Sequence, residues 1–159
     1  MEFAQDAAGA LAHPRSLPFV DPKRVAIIGW SYGAGVALIV ARGSYEWLFR
    51  PAPNGFRAAV AFYPPCRHIG ADTSIPLLLL LGEADDWTPP GWCVTIAQQV
   101  QQRHQTIEWV VYPRATHAFD SNEYGFGARQ YLGHLMQYNA SAAADAQQRV
   151  RAFLREQLR

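Results

Sequence analysis

Five consecutive leucines at positions 77–81 constrain the fold of this chain more than any other feature. They lie in the run IPLLLLLG (75–82), which shows no alternation of apolar and polar residues. A strand of this composition is buried on both faces, as the strands of a parallel sheet are. Three more runs predict strands: VAIIG (25–29), FRAAVAFY (56–63) and QTIEWVVYP (105–113), the last with polar residues that put it nearer an edge.

Helical patterns alternate with these strands. The predicted helices span residues 3–12, 32–43, 91–104 and 139–158, and proline-rich loops such as 44–55 connect the elements. Alternation of this kind predicts an α/β fold with about four parallel strands and helices on both faces. The length of 159 residues predicts a single domain, 1–159. The aromatic segment 118–138 is read as a loop, either a lid or a packed loop.

Charge and cysteine content narrow the classes of partner. The chain has 14 Lys and Arg against 13 Asp and Glu, which argues against nucleic-acid binding and against a polybasic membrane anchor. The sequence contains no run of about 18 apolar residues, so no membrane span is predicted. No secretory signal is visible, so we expect a cytoplasmic protein. Cys66 and Cys93 lack metal-ligand spacing, and we expect neither a zinc site nor a disulfide; Cys66 is read as a packed thiol.

The stretch IGWSYGAG (28–35) contains Gly-x-Ser-x-Gly between a predicted strand and a predicted helix. That context is typical of a nucleophile elbow, in which Ser31 occupies the tight turn. The glycines at positions 29 and 33 are expected because a side chain on either side of the turn would collide with its neighbours. The N–H of Tyr32, at the start of the following helix, is the expected oxyanion donor.

A serine nucleophile needs a base, and the base needs an acid that orients it. In this type of fold the order is Ser, then Asp or Glu, then His, at the carboxyl ends of strands. EADD (83–86) follows the third strand, so Asp85 or Asp86 is the expected acid, ahead of Glu83 and Asp120. THAF (116–119) follows the fourth strand, so His117 is the expected base, with His134 as the other late candidate.

At these residues the chain resembles the dienelactone hydrolase family of α/β-hydrolases. The resemblance rests on DPKRVAIIGWSYGAGVAL, AVAFYPPC, PLLLLLGEADDWTPP, YPRATHAF and the closing YNASAAADAQQRVRAFLREQL. It implies a minimal α/β-hydrolase fold, places the acid at Asp85 and the base at His117, and implies no cofactor and no metal. Family members proper carry cysteine as nucleophile, whereas this chain has Ser31, which favours a serine esterase. Trp30 and Trp87 are candidate walls of a substrate pocket, with the hydrophobic core as their alternative place.

The resemblance also implies strands before 25–29 that have no counterpart in this sequence. Strand 25–29 is then expected to have an open edge, which is an association site. We therefore expect a homo-oligomer in which a second subunit covers that edge. The loop that supplies a second oxyanion donor is expected to be missing as well, so either another amide, from this chain or a partner subunit, substitutes for it or activity is low.

The sequence thus predicts a serine hydrolase that cleaves small or short-acyl carboxylic esters through a Ser31–His117–Asp85 triad and an acyl-enzyme. Two alternatives stay open. One is a serine peptidase of the prolyl-oligopeptidase type, because GWSYG is similar to the elbow of that group. The other is a catalytically weak or inactive oligomeric remnant of an α/β-hydrolase.

Overall fold

The elements of the chain were traced in a computed structural model, which describes residues 2–42, 55–68 and 70–159. The helices are α1 (Glu2–Ser16), α2 (Tyr32–Ala41), α3 (Gly91–Gln102) and α4 (Ala140–Gln157). The strands are β1 (Ala26–Trp30), β2 (Ala58–Phe62), β3 (Leu77–Gly82), β4 (Ile107–Tyr112), β5 (Arg129–Tyr131) and β6 (His134–Met136). Short 3₁₀ turns span Cys66–His68 and Asn122–Tyr124. The loop predicted over 44–55 lies outside the described residues, apart from Gly55.

The first four strands form one parallel sheet in the order β1–β2–β3–β4. β2 and β3 are central and buried at every position, as the lack of alternation in their sequences predicts. Each buried leucine of β3 contributes roughly 1.5–3 kcal/mol through the hydrophobic effect. β4 is one edge strand, with Glu108 exposed, and β1 is the other. The predicted α/β fold with four parallel strands is therefore confirmed.

Helices cover both faces of this sheet. On one face α2 lies against β1 and β2 and α3 lies against β4, with Leu38 and Val100 in the same core as Leu79 of β3. On the other face α4 packs through Phe153 against the layer that contains Leu80. The remaining helix, α1, covers the outer side of α2. The almost wholly apolar composition of α2 is explained by this position between the sheet and α1.

The segment 118–138 differs from its prediction as a loop. It contains a 3₁₀ turn and the antiparallel hairpin β5–β6, whose turn holds Leu132 (φ 50°) and Gly133 (φ 87°). Two positive φ values in succession are typical of the tight turns that join hairpin strands. The hairpin escaped detection because its strands have three residues each and β5 is exposed throughout, so neither shows a hydrophobic pattern.

The two cysteines contradict the expectation that they would stay unpaired. Cys66 and Cys93 form a disulfide across a sequence separation of 27. Cys66 lies in the turn after β2 and Cys93 in the first turn of α3, and both are buried. The spacing gave no signal because the fold, and not the local sequence, brings α3 against the end of β2.

We expect the double variant Cys66→Ala/Cys93→Ala to lose about 2–4 kcal/mol of unfolding free energy, because the open loop gains entropy in the unfolded chain. Urea denaturation followed by circular dichroism measures this loss. Wild-type protein in reductant should show a comparable loss, whereas the double variant should not respond to reductant. Equal urea midpoints for oxidised and reduced wild type would contradict a stabilising disulfide.

Candidate active site

Ser31 lies in a strained turn between β1 and α2. Its backbone has φ 50° and ψ −117°, a conformation that costs a non-glycine residue about 1–3 kcal/mol. The Ser31 amide donates to the Phe62 carbonyl (3.0 Å), so the serine is still anchored to β2. The side chain is half-buried and therefore reachable from solvent. This is the geometry that the nucleophile elbow predicts.

The two glycines around Ser31 have different roles. A Cβ atom at Gly29 would lie 2.2 Å from the Gly33 carbonyl oxygen and 2.6 Å from the Ala34 nitrogen. A Cβ atom at Gly33 would meet nothing within 4 Å. The expected collision is therefore present at Gly29 and absent at Gly33, because only Gly29 faces the first turn of α2 at close range.

Asp85 is held in the loop that follows β3. Its carboxylate is buried, and Oδ1 accepts hydrogen bonds from the Trp87 amide (2.9 Å) and the Thr88 amide (2.8 Å). Oδ2 lies 2.9 Å from the Thr88 hydroxyl and 2.8 Å from His117 Nδ1. These contacts fix the carboxylate in one plane, with Oδ2 directed at the imidazole.

His117 links this carboxylate to Ser31. The imidazole lies in the loop after β4 and is buried. Its Nε2 lies 2.8 Å from Ser31 Oγ, and its Nδ1 lies 2.8 Å from Asp85 Oδ2. With Nδ1 protonated, Nε2 is an acceptor and can take the proton of the serine hydroxyl. The structure thus brings the three residues that the sequence singled out into one hydrogen-bonded chain.

The other candidate acids and the other candidate base form hydrogen bonds outside the triad. Asp86 turns away from His117 and pairs with His134 Nδ1 at 3.3 Å. Glu83 accepts the Arg114 amide. Asp120 accepts two hydrogen bonds at a separate point of the site, described below.

Tyr32, whose amide is the expected oxyanion donor, lies at the start of α2. Tyr32 is the first residue of α2, so its amide is among the donors that a helix leaves without an intrahelical partner. The helix dipole also favours negative charge there. The Tyr32 side chain points outward, is 64% exposed and contacts Phe3 edge to face at 5.3 Å between ring centroids.

The two predicted tryptophans are both near the triad but differ in their surroundings. Trp87 has its ring centroid 5.1 Å from that of His117 and is about one-third exposed. It lines a cavity of about 340 Å³ together with Pro65, Cys66, Arg67, Thr88, Pro89 and Trp92. Trp30 does not line this cavity; it stacks on Phe62 and is about half exposed.

The sequence did not indicate the polar contacts around Asp120. Its Oδ2 accepts from Trp30 Nε1 (2.9 Å), and its Oδ1 accepts from the Tyr63 hydroxyl (2.8 Å). Burial, and then the neighbouring Asp120 carboxylate, raise the pKa of the Tyr63 phenol far above its usual value. Tyr63 therefore stays neutral, and its ring lies 4.5 Å from the imidazole of His117. Tyr63 directly follows β2, and this position at the carboxyl end of a strand is the one sequence signal for its place in the site. The direction of its side chain could not be predicted from the sequence.

The β5–β6 hairpin adjoins the site. His134 stacks on Trp87, with ring centroids 4.7 Å apart, and Met136 forms a bridge with the backbone of His117. Phe119 is fully buried, whereas Phe126 is 95% exposed. The segment is thus packed at its start and solvent-facing at its centre, and its role as a lid stays a prediction.

The described residues contain neither a candidate metal cluster nor a candidate membrane-spanning helix. No group of three or more His, Cys, Asp or Glu residues there could hold a metal ion. No helix among the same residues has the length and apolarity needed to cross a membrane.

The sheet, the elbow and the order Ser, Asp, His together define an α/β-hydrolase-type fold and site. The chain belongs to the dienelactone hydrolase family, whose profile matches residues 1–158. The resemblance inferred from the sequence is therefore confirmed.

Individual relatives cover different extents of the chain. A Yersinia pestis protein assigned as a carboxymethylenebutenolidase is 26% identical over 151 residues, 87% of this chain and 49% of that protein. A solved structure of a thermophilic esterase from Thermogutta terrifontis with bound propionate has a TM-score of 0.67 at 18% identity, covering 94% of this chain and 64% of that one. A 30-residue stretch is 63% identical to a Metarhizium robertsii protein assigned as dipeptidyl-aminopeptidase B, covering 19% of this chain and 3% of that protein. This chain thus spans about half the length of its Yersinia relative.

Replacement of the two elbow glycines should separate their roles. Gly29→Ala should lower the unfolding free energy by about 1–3 kcal/mol or prevent folding, since its methyl group would overlap backbone atoms. Gly33→Ala is the matched control and should be neutral or stabilising by up to about 1 kcal/mol, because space is open and alanine favours helix. Thermal and urea unfolding measure both. A Gly29→Ala protein as stable as wild type would contradict the crowding at the elbow.

Proposed function

We propose that this chain is a serine hydrolase that cleaves small or short-acyl carboxylic esters. The observation that carries the proposal is the continuous hydrogen-bonded chain from Ser31 Oγ through His117 to Asp85, with 2.8 Å at both of its links. Burial of His117 and Asp85 next to a half-buried Ser31 supports it further, because the nucleophile is reachable while its base and acid are shielded from water.

In the proposed reaction, Ser31 Oγ attacks the ester carbonyl carbon while its proton passes to His117 Nε2. The negative charge that develops on the carbonyl oxygen faces the Tyr32 amide at the start of α2. The bond to the alcohol oxygen then breaks, and the alcohol leaves with the proton from Nε2. The acyl group remains as an ester of Ser31.

Deacylation reverses these proton movements. A water molecule attacks the acyl carbon and gives its proton to His117 Nε2, and the same proton returns to Ser31 Oγ as the carboxylic acid departs. Asp85 stays ionised throughout, accepting the Nδ1 hydrogen and stabilising the imidazolium that forms in each step. The reaction needs no metal or cofactor.

The size of the substrate is inferred from the cavity beside the triad. Its volume of about 340 Å³ is near the lower end of ligand pockets, which suits a small acyl or alcohol group. We assign Trp87 to one wall of this pocket and Trp30 to contacts on the other side of Ser31. The propionate bound by the Thermogutta terrifontis esterase supports a short acyl group by similarity of fold alone.

Two other readings compete with this one. The 30-residue match to a dipeptidyl-aminopeptidase favours peptidase activity of the prolyl-oligopeptidase type as the second candidate. A catalytically weak or inactive oligomeric remnant of an α/β-hydrolase is the third.

Assembly forms a separate part of the proposal. β1 lies at the edge of the sheet, where Ile28 is 37% exposed and Trp30 is 48% exposed. An apolar strand with an open hydrogen-bonding edge favours pairing with another strand. We propose that a second copy of this chain covers β1, so that the active species is a homo-oligomer.

Cellular location and the absence of other partners remain predictions. The balanced charge still favours a protein that does not bind nucleic acid. The Cys66–Cys93 disulfide bears on the predicted cytoplasmic location, because disulfides persist mainly in oxidising compartments. A cytoplasmic chain keeps this bond only if burial of both sulfur atoms protects it from reductants.

Hydrolysis of p-nitrophenyl acetate and butyrate should depend on Ser31. We expect Ser31→Ala to lower kcat on the order of 10⁴-fold or more, because no other group replaces the nucleophile. Ser141→Ala, an exposed serine on α4, is the matched control and should retain wild-type rates. Faster cleavage of prolyl amides than of esters would favour the peptidase, and a folded protein that a fluorophosphonate probe does not label would favour the inactive remnant.

The oligomer proposal is tested by size-exclusion chromatography with light scattering. Wild-type protein should have a mass that is a multiple of 17.7 kDa, and Ile28→Lys should shift it to the monomer because a charge blocks the strand edge. Phe126→Lys, which alters another exposed apolar residue, should leave the mass unchanged. A monomeric wild type at micromolar concentration would exclude a second copy on β1.

A further inference from the structure

Thr88 lines the cavity beside the triad but takes no part in the reaction steps described above, and its hydroxyl lies at the centre of the polar contacts of the triad. Thr88 Oγ1 is 2.9 Å from Asp85 Oδ2, 3.0 Å from the Tyr63 carbonyl oxygen and 3.1 Å from His117 Nδ1. The same residue donates its backbone amide to Asp85 Oδ1 at 2.8 Å. Thr88 therefore contacts both oxygens of the acid and also the base.

Counting protons limits what this hydroxyl can do. A threonine hydroxyl has one hydrogen to donate, whereas an ionised carboxylate and a backbone carbonyl only accept. In the tautomer that the proposed reaction requires, the Nδ1 hydrogen of His117 points to Asp85 Oδ2, 2.8 Å away. The hydroxyl of Thr88 can therefore donate to Asp85 or to the Tyr63 carbonyl, but not fully to both at once.

We propose that Thr88 is a positioning residue that completes the hydrogen bonding of the Asp85 carboxylate, a role that rests on the proposed hydrolase function. When its hydroxyl donates to Oδ2, the carboxylate accepts four hydrogen bonds, two on each oxygen. That number matches the roughly four lone-pair sites of an ionised carboxylate. A carboxylate held in this way keeps its orientation toward Nδ1.

The hydroxyl also connects the acid to the walls around the imidazole. The Tyr63 carbonyl belongs to a residue with φ 40°, and the Tyr63 ring lies 4.5 Å from the ring of His117. Trp87, directly before Thr88, contacts the imidazole as well, at 5.1 Å between ring centroids. Thr88 thus joins the loop after β2 to the loop after β3 at the level of the base.

The other charged or titratable groups near the imidazole have partners other than Thr88. The Tyr63 phenol bonds to Asp120, on the loop that carries His117. His134 on the hairpin stacks on Trp87 and pairs with Asp86. A change in the pH response after substitution of Thr88 would therefore come from the contact with Asp85 and His117.

Thr88→Val tests the proposal, because valine keeps the shape and the backbone amide but removes the hydroxyl. With p-nitrophenyl acetate we expect kcat to fall on the order of tenfold, as for loss of one hydrogen bond to a charged group, with little change in KM. We also expect the acidic limb of the kcat/KM profile to move to higher pH, because a carboxylate with fewer donors attracts the imidazolium more strongly. Thr88→Ser should restore both values, and Thr95→Val, an exposed threonine on α3, should match wild type.

The outcomes separate the two proposals. A Thr88→Val protein with wild-type kcat and pH profile, or a loss that Thr88→Ser shares, would overturn the role of Thr88. If wild type hydrolyses esters no faster than Ser31→Ala, the hydrolase proposal fails, and the downfield proton NMR signal of His117 Nδ1 still decides about Thr88. That signal should shift in Thr88→Val and stay in place in Thr95→Val; an unchanged signal would overturn the role. Thermal unfolding verifies that each variant is folded, and Thr88→Ala replaces valine if valine is not accommodated.

Discussion

The parallel register of the central sheet is the constraint on which the rest of the molecule depends. Gly29 pairs with Ala61, Phe62 with Leu80, and Gly82 with Tyr112, so the carboxyl ends of all four strands lie at one edge. Each strand is followed by one residue of the site: Ser31 after β1, Tyr63 after β2, Asp85 after β3 and His117 after β4. Their convergence therefore results from strand pairing, which the buried apolar composition of β2 and β3 stabilises.

Backbone strain is concentrated at the same edge. Ser31, Tyr63 and Ala118 have φ values of 50°, 40° and 55°, and each lies in or beside the site. Conformations of this kind persist only where the surrounding structure holds them. Here the restraints are hydrogen bonds from the Ser31 amide to Phe62 and from the Tyr63 amide to Leu80, both of which extend the sheet.

Two carboxylates organise the polar side chains of the site. Asp85 receives the imidazole and the Thr88 hydroxyl, whereas Asp120 receives the Trp30 indole and the Tyr63 phenol. In the described residues every buried side-chain nitrogen and oxygen has a hydrogen-bond partner. A fully satisfied network of this kind restricts the side chains to one arrangement. His117 is thereby held by the Asp85 carboxylate at Nδ1 and by the rings of Tyr63 and Trp87.

The sequence by itself determined the order of the strands along the chain, the elbow at Ser31, and the positions of His117 and of the candidate acids Asp85 and Asp86. These followed from local composition, because apolar runs mark buried strands and functional groups lie where such strands end. The choice of Asp85 over Asp86 came from the family resemblance. The tertiary structure alone decided the disulfide, the hairpin and the contacts of Asp120 and Thr88. The disulfide and the contacts from Asp120 to Trp30 and Tyr63 join segments far apart in the chain, through side-chain directions that no local pattern encodes. The hairpin is local, but its three-residue strands are too short and exposed to show a hydrophobic pattern.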